Sequence, residues 1–223
     1  MQPGELNPLP LALLKPFAGF NNLYAGQTCY VVGRGKTRFD YGRLADVADP
    51  LFFINDAICL ERHAKGESFF FAHDWQLLGW LDEGLKSTAV LPIDGKLFKH
   101  TPGRKLGHRG PVVFYRWPTE GKERLLTLTR DELSEFGQLY THSATIHSLL
   151  HFVWYCGFKQ VKLVGCDGID LQDGNPAMGG HDPRLEVRSG GVVGWDYSRI
   201  RQAQDLLIQL FGIQAEYLGT PLA

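Results

Sequence analysis

Residues 140–170 read YTHSATIHSLLHFVWYCGFKQVKLVGCDGID, and this stretch decides the fold class. Its first half carries Ile146, Leu149, Leu150, Val153 and Trp154 at helical spacing. Ser143 is of a residue type that caps a helix start, and Gly157 stands where a helix stops. Val161 to Val164 is then a short run of the length of a buried strand, and it ends abruptly in Gly165-Cys166-Asp167-Gly168. A helix, a glycine turn, a buried strand and an acidic, glycine-flanked loop make half of a βαβ unit. Open α/β sheets bind ligands just beyond the carboxyl ends of such strands, so Asp167 stands where chemistry is expected. The same aspartate would equally serve as the cap of a plain turn.

Composition bounds the rest. A chain of 223 residues makes one large domain or one domain with a long insertion. We read residues 1–223 as a single α/β domain: a Rossmann-like, mainly parallel sheet with helices on both faces and an irregular insertion or flap at 95–124. The formal net charge of −1 gives no basic surface for nucleic acid. The apolar runs are too short to span a bilayer, so no transmembrane segment is expected. The first residues, MQPGELNPLPLALLKPF, carry prolines through their apolar part and lack a leading Lys or Arg, which makes a poor signal peptide. Cys29, Cys59, Cys156 and Cys166 show no CxxC pairing, and three of them lie in apolar surroundings. They read as reduced thiols of a cytoplasmic protein, neither a disulfide frame nor a zinc site.

Taken in order, residues 1–26 form a proline-interrupted, irregular lead-in, with a short turn at Leu9 to Leu14. Thr28 to Val32 is a strand that runs into Gly33-Arg34-Gly35-Lys36-Thr37, a turn where backbone N–H groups could approach a phosphate. The fragment GKT is not a P-loop, because Tyr30 stands where the first glycine belongs, and Arg38 breaks the dinucleotide pattern GxGxxG. A plain tight turn explains Gly33 and Gly35 as well. Tyr41 to Val47 is a helical turn. Leu51 to Ile54 is a strand ending in Asn55-Asp56, and Ser68 to Ala72 is a strand ending in His73-Asp74. Glu61 to Lys65 carries the chain across a face, Trp75 to Leu81 is helical, and Val90 to Ile93 is a further strand. Each strand ending suits an ordinary turn, but together they line one edge of a parallel sheet with polar groups: Gly33, Arg34, Gly35, Asn55, His73 and Asp74.

Residues 95–124 are rich in Gly, Pro, Lys, Arg and His, with an edge strand at Pro111 to Trp117. They suit a solvated insertion or a basic flap over an anionic substrate. Asp131 to Gly137 is a short helix. His147 and His151 share a helix face, but no Glu follows the first of them and no third ligand is evident, so no metal site is assigned there. Residues 171–194, LQDGNPAMGGHDPRLEVRSGGVVG, form a second glycine-rich loop holding His181, Arg184 and Arg188. Asp196 then caps a helix from Tyr197 to Phe211, which Gly212 stops, and Ile213 to Leu218 is the last strand.

The segments VVGRGKTRFDYGRL (31–44), FINDA (53–57), FFFAHD (69–74), YTHSA (140–144) and CGFKQVKLVGCD (156–167) together resemble the Rossmann-like bacterial sialyltransferases that use CMP-sialic acid. They are also similar to the related 6-hydroxymethylpterin diphosphokinase-like proteins. The resemblance covers the first and last thirds of the chain. It implies that the Gly33-Arg34-Gly35 loop borders the nucleotide phosphates, that Asn55 contacts the nucleotide, and that His142 and Ser143 occupy the place of a hydroxyl pair that does the same. Asp167 matches the acidic residue that follows the fourth-strand motif. The chain departs from the sialyltransferases in having Arg34 between the loop glycines, Gly168 and Ile169 where a tyrosine follows the acid, and Trp195-Asp196 where a general-base histidine falls.

The resemblance implies a protein that binds a nucleotide-activated sugar, a CMP-sugar first, and transfers the sugar to a hydroxyl of a glycan or small-molecule acceptor. Asp167 and either His181 or Asp196 are its candidate catalytic groups. The diphosphokinase-like branch implies instead a diphosphotransferase with Mg²⁺ held by Asp74 and Asp167, and the departures leave room for a catalytically silent nucleotide-binding protein. A homo-oligomer is compatible with each. The 171–194 loop is expected to close over a bound anion, with Arg184 or Arg188 reaching phosphate. Replacing both arginines by Ala should weaken nucleotide binding and leave the melting temperature of the free protein almost unchanged. A large loss of stability in calorimetry would make them structural instead.

Overall fold

The apolar runs at 28–32, 51–54, 68–72 and 161–164 are strands, and they lie side by side. A computed structural model of the chain describes residues 14–33, 37–73, 86–93, 110–118, 121–142, 144–166 and 197–221. Its main sheet has eight strands: β1 (Leu14–Lys15), β2 (Thr28–Val32), β4 (Leu51–Ile54), β5 (Ser68–Phe71), β6 (Thr88–Ile93), β7 (Val112–Arg116), β8 (Gln160–Val164) and β9 (Gln214–Leu218). Their order is β1-β7-β6-β5-β4-β2-β8-β9, and every neighbouring pair is parallel. Two short strands, β3 (Thr37–Arg38) and β10 (Thr220–Pro221), pair antiparallel outside it.

Alternation along each strand sorts side chains to two faces. Cys29, Val31, Phe52, Phe69, Phe71, Val90, Val113, Tyr115, Val161 and Leu163 face one core, and Val32, Leu51, Phe53, Phe70, Ala89, Leu91, Val112 and Val164 face the other. Both faces of the central strands are apolar, which is why their sequences read as unbroken hydrophobic runs.

The two faces are covered differently. The first carries α1 (Arg130–Phe136), α2 (Thr145–Tyr155) and α3 (Tyr197–Leu210), whose Leu133, Phe152 and Leu207 lie in the first core. The second carries 3₁₀ segments, Tyr41–Asp46 and Asn55–His63, which bring Tyr41, Leu44, Ala57, Ile58 and Leu60 into the second core. The described connections between β2 and β5 therefore cross the second face, while the lead-in between β1 and β2 and the helices after β7 lie on the first. The change of side falls between β2 and β8, the switch point at which open α/β sheets form their crevice.

Several local expectations need revision. The lead-in is not peripheral: β1 pairs with β7, and Phe17, Phe20 and Tyr24 belong to the first core. Prolines there forbid a long helix but not a 3₁₀ turn, which forms at Phe17–Phe20. The strand at 112–116 is not an edge, because β1 lies outside it. The crossing from β4 to β5 is made by the whole 55–63 segment, not by Glu61 to Lys65 alone. The N-cap of α2 is Ala144, not Ser143. The expected turn at Leu9 to Leu14 (Leu14 apart), the helix at 75–81 and the flanks of β7 at 94–109 and 119–120 lie outside the described residues. Cys29, Cys156 and Cys166 are free thiols, and no helix among the described residues is long and apolar enough to cross a membrane.

Two anchors fix the geometry. At the amino edge, the Glu61 carboxylate accepts from the backbone N–H groups of Lys86 and Ser87 and from the hydroxyls of Ser68 and Ser87. It thereby ties the end of the 3₁₀ crossover to the starts of β5 and β6. On the first face, Phe152 seats α2 in an aromatic bed, with ring centroids 5.6 Å from Phe20, 5.9 Å from Phe17 and Phe71, and 6.3 Å from Phe52. The helix runs from the carboxyl edge to the amino edge, where Tyr24 N donates to Cys156 O and Gly26 N to Gly157 O. Phe152→Ala should cost roughly 3–5 kcal/mol through lost burial and a residual cavity, and Phe152→Leu less than half of that. The check is the urea midpoint at unchanged slope. A cost under about 1 kcal/mol for the alanine variant would mean that the bed does not seat the helix.

Candidate functional site

The carboxyl edge is built from strand ends and one helix start. β2 runs into Gly33, β4 into Asn55 and β5, past Ala72, into His73, while β8 runs into Gly165 and Cys166 on the far side of β2. Gly33, Asn55 and His73 thus stand on three neighbouring strands of one edge. His142 approaches from the chain that leads into α2, its ring 5.5 Å from that of His147. Arg34, Gly35, Asp74, Ser143, Asp167, His181, Arg184, Arg188 and Asp196 lie outside the described residues.

Gly33 is buried beneath the β8 loop. A Cβ there would sit 2.5 Å from Gly165 O and 3.0 Å from Cys166 Sγ, so the missing side chain makes room for backbone across the switch point. Gly165 itself has φ 60°, a conformation suited to glycine. The Cys166 thiol donates to Val164 O (3.4 Å), and Gln204 of α3, nearly fully buried, donates its Nε2–H to Cys166 O (3.1 Å). The last helix therefore fixes the loop that carries the switch.

Asn55 takes φ 52°, one of two non-glycine residues at positive φ among those described. Asn is the side chain that tolerates this region best, but the conformation still carries a cost and marks a position held by its surroundings. Its Oδ1 accepts from the Thr145 hydroxyl at 3.4 Å. Thr145 opens α2, so the positive end of that helix lies over the carboxyl end of β4.

Three histidines are held neutral. His147 Nδ1 accepts from Ala144 N (3.3 Å), which assigns the proton to Nε2, and Nε2 faces Ile200 O at 3.1 Å. This bond takes the place of the side-chain cap that Ala144 lacks. His151 Nδ1 accepts from Tyr140 N (2.8 Å), and its ring stacks on Phe211 at 5.1 Å and 4°. Burial pushes its pKa down to about 3. His147 is lowered by burial, against the opposing pull of the Ile200 carbonyl, and further by His142. His73 shares a hydrogen bond between Nε2 and Ser148 Oγ (3.0 Å) and is lowered to about 4 by burial and then by His147. His147 thus spends both ring nitrogens on the fold and His151 its Nδ1, while the buried Nε2 of His151 has no partner among the described residues.

The sequence reading missed Thr145, Ser148, Tyr115, Trp117 and Gln204. The first two lie within the helical stretch, but nothing in the linear sequence aims them at β4 and β5. Tyr115 and Trp117 sit at the carboxyl end of β7, where Trp117 meets His73 edge-on at 5.2 Å.

A buried neutral histidine makes stability depend on pH. Its folded pKa lies below the unfolded value of about 6.5, so its contribution is intact above that pH and is lost as pH falls toward the folded value, because only the unfolded chain takes up the proton. For His151 the window is pH 6.5 down to about 3. Stability should fall below pH 6.5 by about 1.4 kcal/mol per pH unit for each such histidine. His151→Asn keeps an acceptor for Tyr140 N–H. It should lower stability at pH 7 but flatten the slope between pH 6 and pH 4.5 by close to one proton, measured by denaturation at each pH. An unchanged slope would mean that His151 titrates alike in both states.

No protein-family model matches this sequence, and no curated protein matches it.

Proposed function

We propose that the chain binds the nucleotide of an activated donor at the carboxyl edge of β2, β4 and β8, and transfers the donor's sugar to an acceptor hydroxyl as the Rossmann-like sialyltransferases do. The observation that carries this reading is Asn55: a left-handed residue at the end of β4, tethered to the first residue of α2 beside the switch point. Helix starts at such edges favour phosphate, through free N–H groups and the dipole. In the proposed reaction the acceptor oxygen attacks the anomeric carbon and the bond to the nucleotide phosphate breaks. The acceptor's proton passes to a base from the 171–196 region, His181 or Asp196, with Asp167 as the acidic group that the resemblance implies. Charge growing on the leaving phosphate is stabilised by the helix start and by Arg184 or Arg188.

A thermal-shift panel of CMP, UDP, GDP and ATP, each with and without Mg²⁺, tests the reading, because a ligand of the folded state raises the melting temperature by mass action. CMP should give the largest shift, without need of metal. Stabilisation by ATP that requires Mg²⁺ would favour the diphosphotransferase reading, in which Asp74 and Asp167 hold the cation. In Asn55→Gly the relief of the left-handed backbone opposes the loss of Thr145's partner, so the free protein should change in stability by no more than about 1–2 kcal/mol, and CMP binding should weaken by roughly tenfold. Equal CMP affinity in that variant would remove Asn55 from the site.

A further inference from the structure

The chain that leaves β2 and the chain that leaves β9 meet again beyond the sheet. Thr37 and Arg38 of β3 pair antiparallel with Pro221 and Thr220 of β10. Within the sheet β8 stands between β2 and β9, so the two exits start two strand spacings, about 10 Å, apart. Their ribbon therefore bridges the carboxyl end of β8. It does so toward the second face, because Phe39, next after β3, and Leu218, the last residue of β9, pack against the second core. The β8 loop leaves toward the first face, where Cys166 packs on the first core and Gln204 holds its carbonyl. The ribbon and the β8 loop are thus opposite walls of the switch-point crevice, with the close approach of Gly33 to Gly165 O between them.

We propose that the β3–β10 ribbon is a strap that closes on the ligand of this crevice, which rests on the reading above that the crevice holds the donor's nucleotide. Three features set the ribbon apart as a weakly held element. It forms a sheet of its own, and its ladder is two residue pairs long, where β8 and β9 pair along five. A two-stranded ribbon standing by itself is marginal in water. Pro221 has no N–H to give, so the ladder is one donor short. Gly219 joins β9 to β10 at φ 93°, a hinge conformation that a side chain would strain. The ribbon can therefore part while the sheet beneath it stays formed. A ligand lying between the ribbon and the sheet edge gains both walls only when the strap is closed. Its apparent affinity then scales with the closed fraction, and binding in turn holds the strap shut.

The test follows backbone hydrogen exchange and melting of the full chain, with CMP as probe. The ribbon amides should exchange by local opening, at rates that low denaturant leaves unchanged, and saturating CMP should slow them by roughly tenfold or more. Gly219→Val disfavours the closed strap. It should weaken CMP binding roughly tenfold and move the melting temperature of the free protein by less than about 2 °C. Deleting Thr220 to Ala223 should act in the same direction on both measurements. Ribbon amides that exchange only by global unfolding overturn the proposal. So does either variant melting several degrees lower, since the ribbon then belongs to the fold. CMP bound equally by intact and variant chains sinks the strap and leaves the donor reading standing. An intact chain that does not bind CMP removes the donor reading, and the strap with it.

Discussion

Ten of the eleven residues of α2 are buried, and four of these ten are polar: Thr145, His147, Ser148 and His151. A helix with a purely apolar buried face could slide or rotate on its sheet at modest cost. This one cannot, because each buried polar side chain must find its partner. Thr145 finds Asn55 on β4, Ser148 finds His73 on β5, His147 finds the α3 carbonyl at Ile200, and His151 finds the incoming backbone at Tyr140. This seating gives each of the four at least one partner, although the Nε2 of His151 has none among the described residues. At its other end, Arg130 of α1 donates to Trp154 O (2.9 Å) and lays its guanidinium 4.6 Å from the Trp154 ring. That contact meets the negative end of the helix with a cation. The geometry of the carboxyl edge follows from this register, since the same contacts that fix α2 orient Asn55 and His73.

Much of the fold was legible because it is written in short-range signals. The strands at 28–32, 51–54 and 161–164 are apolar runs between turn residues, and Gly137, Gly157 and Gly212 all take positive φ where helices end. The capping box of α1, in which Thr129 and Glu132 satisfy each other, is equally local. What stayed hidden is long-range. Phe17, Phe20 and Tyr24 join the first core through rings contributed by β5 and α2, and no window around them contains those partners. The site was legible as a row of strand endings, Gly33, Asn55 and His73. Its helix-borne half was not, because Thr145 and Ser148 are ordinary helix residues until the helix is laid across β4 and β5.

The second face of the sheet shows how little cover a parallel sheet needs. Short 3₁₀ segments bury β4, β5 and β6 where the usual crossover is an α-helix. Beyond the switch point no described connection crosses that face, and the sequence changes accordingly. Thr28, Gln160 and Gln214 stand in register and bond in a row, and beside them Tyr30 accepts from Lys162 at 3.2 Å, with Glu216 next in register. Polar rows replace the second core where its cover ends, and the unlike chemistry of adjacent rows leaves no flat apolar surface for another sheet to stack upon.

The contact between Gly33 and the carbonyl of Gly165 has a mechanical meaning. Two loops that touch through backbone, with no side chain between them to flex, transmit displacement as a rigid joint does. The loop after β8 is held in turn by Gln204, whose Nε2–H also donates to Tyr217 OH at 2.7 Å. The β2 turn is thereby linked to α3 and β9, which lie on the same side of the sheet just beyond β8. The end of β2 and the last pair of elements, α3 and β9, far apart in the chain, are thus joined through one set of contacts.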